Sequence, residues 1–330
     1  MSERKASIKM NNDSLNAVLN GIKNYSSFSI LTHVSPDGDT LGAALALHIL
    51  LTRLGKRSEV LCDERVPHIY GFLPCAENVL TADTAEGLDC VIAVDCADAQ
   101  RFKKADGIFK NAKLTMVIDH HFTNKGYADI NLIRPEASAT CEIIYDIFKG
   151  LDLSIDSGSA ICLYTGIVTD TGNLTYSNTT PNSIRIVAEL YEEGLNITEV
   201  NRSIYRTVPY AKTRVQGYAL ANMQLYDNGR IGLATLTVAQ MDSFGATDED
   251  CEGIVDQVRD VECVRVAAFV REGRDGTFKV SLRSKECADV GKIAKSNGGG
   301  GHEAAAGYTS KEPLSTTVAN VLAAIEAELL

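Results

Sequence analysis

Between residues 28 and 170, short apolar runs alternate with stretches of helical periodicity, and this alternation constrains the fold more than any other feature of the sequence. The runs are FSILTH, SEVLC, DCVIAVD and LTMVID. Their near-continuous apolar character is typical of parallel strands that are covered on both faces. Because helical segments separate them, we predict an α/β fold with a doubly wound, mainly parallel sheet.

The pattern changes after the turn signal at 227–230. Before it, we predict helices at Ala139–Lys149, Ser157–Thr169, Asn182–Glu193 and Ile197–Met223, the last broken or kinked by Pro209. After it come the strands RIGLATLTV, VRVAAFVRE and TFKVSLRS, a helix at Val290–Lys295, a glycine run and a terminal helix from about Pro313. The length of 330 residues suits two domains. We predict a larger domain at 1–195, a helical linker at 196–226 and a smaller C-terminal α/β domain at 227–330.

Composition and charge exclude several classes of protein. There are 32 Lys and Arg against 43 Asp and Glu, a net charge of −11, which argues against a partner such as long duplex nucleic acid. The start, MSERKASIKMNN, lacks the apolar core of a signal peptide, and the apolar run Leu41–Leu51 is shorter than the ~20 residues of a membrane span. The nine cysteines include no C-x-x-C pair. We therefore expect a cytoplasmic protein with no membrane partner.

Acidic and histidine side chains follow the predicted strands at their carboxyl ends, where open α/β sheets bind ligands. For any one of these acids, capping a helix or forming a turn is the more common role. Together, however, they would crowd carboxylates at one edge unless cations lay among them. Oxygen and imidazole ligands without thiolate suit two divalent ions, most simply Mn²⁺. The residues are His33, Asp37, Asp39, Asp95, Asp119, His120, His121 and Asp170.

The segments HVSPDGD, VDCAD, DHH and TDTGN resemble, in this order, the four motifs of the DHH phosphoesterase superfamily, and NGGGGHEAAAG resembles the glycine-rich signature of its DHHA1 domain. The two-domain length resembles the nanoRNase/pAp phosphatase branch. This resemblance implies a Mn²⁺-dependent hydrolase that degrades short oligoribonucleotides to mononucleotides and converts 3′-phosphoadenosine 5′-phosphate (pAp) to AMP and phosphate. A phosphodiesterase for cyclic di-AMP or its linear product pApA remains the alternative, and a nucleotide sensor without turnover is less favoured.

The resemblance also implies roles for individual residues. One metal ion would bind His33, Asp37 and Asp95. A second would bind Asp39, Asp95, His120 and Asp170, so that Asp95 bridges the two ions. Asp119 would orient an imidazole rather than bind metal. His121 would face the scissile phosphate. The predicted catalytic residues are His121, Asp119 and Asp95.

A second candidate site lies in the C-terminal part of the sequence. Its glycines offer backbone N–H groups that no side chain obstructs, as close approach to a phosphate requires, and arginine binds phosphate in bidentate fashion. As a bare pattern, the glycine run also fits a flexible loop or a turn. We predict that a non-reacting phosphate binds to Arg283, Gly298, Gly299, Gly300, Gly301 and His302. The sequence leaves open the preferred substrate, the cleavage polarity, the metal used in the cell and the oligomeric state, a homodimer included.

Overall fold

The computed structural model describes residues 2–285 and 287–329, with side chains from residue 13 onward. The chain divides into two compact units, one ending at Thr207 and the other beginning at Val208. None of the helices in the described ranges combines the length and the apolar character that crossing a bilayer requires.

The first unit is a parallel sheet with helices on both faces. Its strands are β1 (Ser27–Leu31), β2 (Arg57–Cys62), β3 (Leu80–Thr81), β4 (Cys90–Val94), β5 (Leu114–Asp119) and β6 (Ile130–Ile133). Its helices are α1 (Ser2–Asn24), α2 (Gly38–Arg53), α3 (Asp106–Lys110), α4 (Thr140–Gly150), α5 (Ser157–Asp170), α6 (Pro181–Glu192) and α7 (Ile197–Asn201), and a π-helical turn follows at Arg202–Arg206.

The strand order in this sheet is β3-β2-β1-β4-β5-β6, and every pair is parallel. The order reverses between β1 and β4, which are neighbours, and this reversal opens a crevice at their carboxyl ends. The predicted doubly wound sheet is therefore confirmed. The sequence pattern did not reveal β3 and β6, because they are short edge strands whose residues are mostly only partly buried.

Alternate side chains of the central strands enter two different cores. In β4, Ile92 and Val94 pack with α2, α4 and α5 on one face of the sheet. Val91, from the same strand, packs on the other face with Phe102 and Phe109. All five residues of β4 are buried, which explains why its sequence is apolar at every position.

The turn between β1 and α2 depends on two adjacent residues. Asp37 caps α2, since its Oδ1 accepts hydrogen bonds from the backbone N–H groups of Asp39 and Thr40, both at 3.1 Å. A Cβ at Gly38 would overlap the side chain of Thr169 in α5, so only glycine fits there. This turn places the start of α2 at the crevice.

The second unit is a mixed sheet with helices. Its strands are β7 (Gln224–Tyr226), β8 (Ile231–Leu236), β9 (Val266–Glu272), β10 (Phe278–Ser284), β11 (Gly300–Gly301) and β12 (Ala305–Ser310), in the order β11-β12-β10-β9-β8-β7. Only the β8–β9 pair is parallel among the pairs described. The helices are α8 (Tyr210–Ala221), α9 (Val238–Ser243), α10 (Ile254–Arg259), α11 (Val290–Ser296) and α12 (Leu314–Leu329). As predicted, the helical pattern at Ile197–Met223 is interrupted at Pro209, which precedes α8.

Candidate active site

His33 and Asp37 lie in the loop that leads from β1 into α2. The Nδ1–H of His33 donates to the carbonyl oxygen of Val34 at 2.8 Å, which leaves Nε2 facing carboxylates. Nε2 lies 3.6 Å from Asp37 Oδ2 and 3.5 Å from Asp95 Oδ2. Metal-binding histidines are held in this way, with one ring nitrogen on a backbone or carboxylate acceptor and the other turned to the ion. The three side chains form one candidate cation position.

A second group surrounds His120 and repeats this arrangement. Its Nδ1 lies 3.2 Å from the carbonyl oxygen of Ala137. Its Nε2 lies 3.2 Å from Asp170 Oδ2 and 4.0 Å from Asp39 Oδ2. Ligand atoms of His120, Asp39 and Asp170 are all within 4.8 Å of one another. The structure thus brings the predicted residues together as two adjacent groups.

Asp95 faces both groups. Its Oδ2 lies 3.5 Å from His33 Nε2, and its Oδ1 lies 3.5 Å from His120 Nε2. The residue directly follows β4, is almost fully buried and has a left-handed backbone with φ of +59°. Its N–H donates to the carbonyl oxygen of Ile118 at 2.9 Å, which holds this uncommon conformation in place. One carboxylate is therefore placed between two imidazoles, as a bridging ligand requires.

Asp39 is fully buried and is held by the N-terminus of α4. Its Oδ2 accepts from the Thr140 N–H at 2.6 Å, and its Oδ1 accepts from the Cys141 N–H at 2.9 Å. Ala139, which precedes α4, has no side chain able to cap the helix. Asp39 therefore satisfies N–H groups that α4 cannot satisfy by itself, and the positive end of the helix dipole favours its carboxylate.

The carboxylates at this site cannot all ionise easily without a cation among them. Burial, and then the charges of Asp95 and Asp170, raise the pKa of Asp39 well above its usual range. Burial, and then Asp95 and Asp37, raise the pKa of Asp170 to about 8. Burial lowers the pKa of His33, but the adjacent carboxylates of Asp37 and Asp95 outweigh it and raise that pKa to about 10. In the metal-free protein, bound protons therefore neutralise the negative charge of these carboxylates. Divalent ions can neutralise the same charge in their place.

The donor atoms available are carboxylate oxygens and imidazole nitrogens. Cys96 follows Asp95, but its buried thiol donates to the Val94 carbonyl oxygen at 3.3 Å, and burial followed by nearby carboxylates raises its pKa well above the usual range. Burial likewise raises the pKa of Cys141. Both thiols therefore stay protonated and are poor ligands. The donor set of carboxylate oxygens and imidazole nitrogens suits divalent metal ions.

The imidazole that Asp119 contacts is the ring of His121. Its Oδ1 lies 2.8 Å from His121 Nδ1 and also accepts from the His120 backbone N–H at 2.9 Å. Its Oδ2 accepts from Asn124 Nδ2 at 2.7 Å. The hydrogen bond to Asp119 raises the pKa of His121, although burial opposes it. The side chain of His121 is 40% exposed, so its ring reaches solvent beside the two cation positions.

In the second unit, Arg283 lies at the end of β10 with its guanidinium half-buried. Its Nε donates to Asp256 Oδ1 at 2.9 Å, and its Nη1 donates to the Leu282 carbonyl oxygen at 3.0 Å. Arg259 Nη1 also donates to Asp256 Oδ1, at 3.0 Å. A phosphate would therefore compete with Asp256 for the Arg283 guanidinium.

All four positions of the glycine run take part in local structure, since Gly300 and Gly301 form β11 and pair with Gly307 and Ala306 of β12. The Gly298 and Gly299 N–H groups donate to the carbonyl oxygens of Lys295 and Ala294, at the end of α11. Gly298 and Gly301 have φ of +76° and +142°, and a Cβ at Gly299 would overlap the Gly307 carbonyl oxygen. Only Gly300 combines an ordinary φ with open space around a Cβ. The prediction of a phosphate cradle therefore depends on Gly300, Gly301 and the exposed His302 that follows them.

Comparison with known proteins identifies the family. Residues 27–167 match the DHH family, N-terminal domain, and residues 233–329 match the DHHA1 domain. The bifunctional oligoribonuclease and PAP phosphatase NrnA of Thermus thermophilus is 33% identical over 307 residues, which cover 91% of this chain and 89% of that protein. The chain belongs to the DHH family. The family prediction from the four motifs is thus confirmed.

Two further proteins are similar to this chain over most of its length. A probable bifunctional oligoribonuclease and PAP phosphatase NrnA from Streptococcus mutans is 30% identical over 293 residues, which cover 89% of this chain and 92% of that protein. The crystal structure of an exopolyphosphatase-related protein from Bacteroides fragilis matches with a TM-score of 0.89 and 26% identity, covering 96% of both chains. The shared architecture therefore extends over both units.

Sequence reasoning missed three residues that support this DHH-family site. The Thr140 Oγ1 donates to Asp95 Oδ1 at 2.9 Å. The Thr40 Oγ1 donates to the Val94 carbonyl oxygen at 3.1 Å, which ties α2 to β4. Asn124 supports Asp119, as described above. The only signal for Asn124 was its place three residues after His121; nothing local distinguishes Thr140 or Thr40 from ordinary helix-start residues.

Proposed function

We propose that this chain is a metal-dependent phosphoesterase that hydrolyses short oligoribonucleotides to mononucleotides and pAp to AMP and phosphate. The observation that carries the proposal is Asp95, whose two oxygens face His33 and His120 at 3.5 Å each. A carboxylate placed between two imidazoles suits a two-metal site for phosphoryl transfer. The NrnA relatives, which align over about nine-tenths of this chain, support the choice of substrates.

We further propose that His33, Asp37 and Asp95 hold one Mn²⁺ ion and that Asp39, Asp95, His120 and Asp170 hold a second. When bound, the two ions supply the positive charge that phosphate-ester hydrolysis requires. The hydrogen bonds of Val34 and Ala137 fix the rings of His33 and His120, so little reorganisation is needed to accept the ions.

His121 serves in this proposal as the proton donor or charge stabiliser at the scissile phosphate. Its Nδ1 is engaged by Asp119, which favours the protonated imidazolium, and its partly exposed ring is accessible to a substrate. Asp119 is in turn held by Asn124, so the imidazole has a defined orientation. An imidazolium whose pKa is raised keeps its proton until a leaving oxygen needs it.

The C-terminal domain, 227–330, is proposed to bind a phosphate that is not cleaved. Arg283, Gly301 and His302 would supply the guanidinium, a backbone amide and an imidazole for this purpose, and Gly300 would leave space for the phosphate beside them. A requirement for a second phosphate would favour bisphosphates such as pAp and short oligonucleotides over simple esters. The larger domain, 1–195, would carry the chemistry.

The test is a hydrolysis assay with the purified full chain, Mn²⁺ and four substrates: pAp, pApA, an RNA pentanucleotide and cyclic di-AMP. We expect turnover of pAp and the pentanucleotide, release of mononucleotides from the latter, and loss of turnover in excess EDTA that added Mn²⁺ restores. Efficient hydrolysis of cyclic di-AMP or pApA with little on the other two would replace the proposed substrates by the cyclic di-AMP alternative. Full turnover in EDTA would contradict the two-metal site.

A further inference from the structure

Phe122 stands out among the residues that the proposed chemistry does not use. Its side chain is 75% exposed, whereas the other eight phenylalanines are buried or half-buried. It directly follows His121. Turn corners normally carry small or polar residues, so an exposed phenylalanine at this position has no local structural reason.

The backbone holds Phe122 in a defined place. His121 to Asn124 form a turn in which the Asn124 N–H donates to the His121 carbonyl oxygen at 3.1 Å, with Phe122 and Thr123 at the corner. Both ends of the turn are anchored, since His121 is bonded to Asp119 and the buried Asn124 side chain donates to Asp119 Oδ2 and to the Cys96 carbonyl oxygen. The backbone at Phe122 is therefore fixed between two residues that are both bonded to Asp119.

The surroundings of Phe122 favour a small planar ligand over a protein partner. The residues that follow it, Thr123 and Lys125, are polar and exposed, and Asn124 is turned inward. A protein-docking surface needs a contiguous apolar patch, which this turn does not supply. A single exposed aromatic ring that directly follows His121, a residue of the proposed site, suits stacking against a nucleobase.

We infer that Phe122 is a specificity-determining residue that stacks on the nucleobase nearest the scissile phosphate. This inference rests on the proposed function and adds to it a base-recognition element within the larger domain. Stacking on an aromatic side chain changes affinity roughly 5- to 150-fold and depends on the area of the base rather than on hydrogen bonds. Purine substrates should therefore be preferred over pyrimidine substrates at this position.

The experiment compares the wild type with Phe122→Ala and Phe122→Tyr on pAp, on its uracil counterpart and on an abasic analogue of pAp in which hydrogen replaces the base. For each, kcat/KM is measured with Mn²⁺, and Kd is measured by titration calorimetry in EDTA, so that base recognition is read without turnover. Tyr191→Ala is the matched control, because Tyr191 is 63% exposed, lies in the last turn of α6 and belongs to neither proposed cation position.

We expect Phe122→Ala to raise KM and Kd for pAp by roughly 5- to 150-fold, to remove the purine preference and to match the wild type on the abasic analogue. Phe122→Tyr should retain wild-type behaviour, as should Tyr191→Ala. Equal losses on pAp and on the abasic analogue, or no loss on pAp, would overturn the inference. If the wild type hydrolyses none of the substrates but binding still depends on the base and on Phe122, the proposed function fails while the inference stands.

Discussion

At the scale of single residues, Asp95 is the side chain on which the proposed two-metal site depends. It faces His33 with one oxygen and His120 with the other, and its left-handed backbone is held by the bond to Ile118. Asp37, by contrast, is half-exposed and belongs to one group only. Loss of Asp95 should therefore affect both cation positions and loss of Asp37 only one.

We predict that Asp95→Ala abolishes hydrolysis and loses both equivalents of Mn²⁺, whereas Asp37→Ala loses one. Elemental analysis of dialysed protein, combined with Mn²⁺ titration calorimetry, measures both effects. Circular dichroism checks that each variant is folded. If Asp37→Ala and Asp39→Ala are each much more damaging than Asp95→Ala, the bridging role of Asp95 is wrong.

A substitution at His121 distinguishes a loss of catalysis from a loss of bound metal. We predict that His121→Ala keeps its full metal content but lowers kcat by about 10²- to 10⁴-fold, because the lost group transfers a proton or stabilises charge at the phosphate. Elemental analysis and steady-state kinetics on pAp provide the two readouts. His121 also lies close enough to Asp95 and His120 to join a cation site. The loss of a whole ion equivalent would therefore make it a ligand instead.

At the scale of secondary-structure elements, α2, α4 and α5 meet behind the candidate site, and two glycines allow them to approach. A Cβ at Gly42 in α2 would overlap the Cys162 carbonyl oxygen in α5. A Cβ at Gly166 in α5 would overlap the Sγ of Cys141 in α4 and lie 2.5 Å from Asp39 Oδ1. Helix packing and the position of a candidate ligand are thus directly linked.

We predict that Gly166→Ala destabilises the protein by about 1–3 kcal/mol through overpacking, although alanine is the better helix former. It should also weaken the binding of one Mn²⁺ ion, because Asp39 must move. Urea unfolding in EDTA and Mn²⁺ titration measure these effects. Gly107→Ala in α3 is the control, since nothing lies within 4 Å of its Cβ position, and it should stay within about 1 kcal/mol of the wild type. Equal behaviour of the two variants would contradict this account.

At the scale of the whole molecule, the pKa shifts couple stability to pH. The pKa values of Asp39, Asp170 and His33 are raised in the folded, metal-free protein. The folded state therefore keeps protons that the unfolded chain releases above its ordinary pKa values of about 4 for Asp and about 6.5 for His. These groups favour folding at low pH, and their contribution falls as pH rises towards the folded values of about 8 for Asp170 and about 10 for His33.

We predict that the Tm of the metal-free protein falls between pH 5 and pH 8, with each such group contributing up to about 1.4 kcal/mol per pH unit. Saturating Mn²⁺ should remove most of this fall, since the ions replace the protons. The pKa values of Asp37 and Asp119 are lowered, so these two residues change the stability only below about pH 4. They do not offset the fall in Tm between pH 5 and pH 8. Scanning calorimetry in EDTA and in Mn²⁺ tests this, and a metal-free Tm that is constant or rises with pH would contradict it.

The second whole-molecule prediction concerns the substrate role of the C-terminal domain. Arg283→Ala should lower kcat/KM for pAp roughly 10- to 150-fold, because a charge-assisted contact is worth ~1.5–3 kcal/mol. It should spare bis-p-nitrophenyl phosphate, which has no second phosphate. Arg274→Ala is the matched control, since Arg274 is exposed and paired with Asp242. Measurement of kcat/KM on both substrates tests this prediction. Equal losses on both would contradict the phosphate-binding role of Arg283.

Gly300→Ala tests the proposed phosphate binding at the backbone of the glycine run. Because Gly300 has an ordinary φ and open space, the substitution should fold normally. A loss confined to pAp would then come from the blocked approach of phosphate to the backbone. Unchanged activity on pAp would mean that the glycine run ends α11 and pairs with β12 but does not bind phosphate.

Local patterns in the sequence by themselves determined the type of fold and the family. Buried parallel strands are rich in apolar residues, so β1, β2, β4 and β5 were visible as runs, although only β4 is apolar at every position. The ends of those runs carried the motif residues, and parallel strands bring such ends to one edge of a sheet. Short edge strands such as β3 need no continuous apolar run, and the pattern therefore did not reveal them.

Only the tertiary structure decided how each site residue is held. Asp39 is bound by the N–H groups of α4, 101 and 102 positions later, and Arg283 is paired with Asp256, 27 positions earlier. The structure also showed that Asp119 orients His121 while a backbone carbonyl orients His120. Hydrogen bonds of this kind join residues distant in the chain and leave no periodicity or spacing in the sequence, because their geometry exists only once the helices and strands have packed.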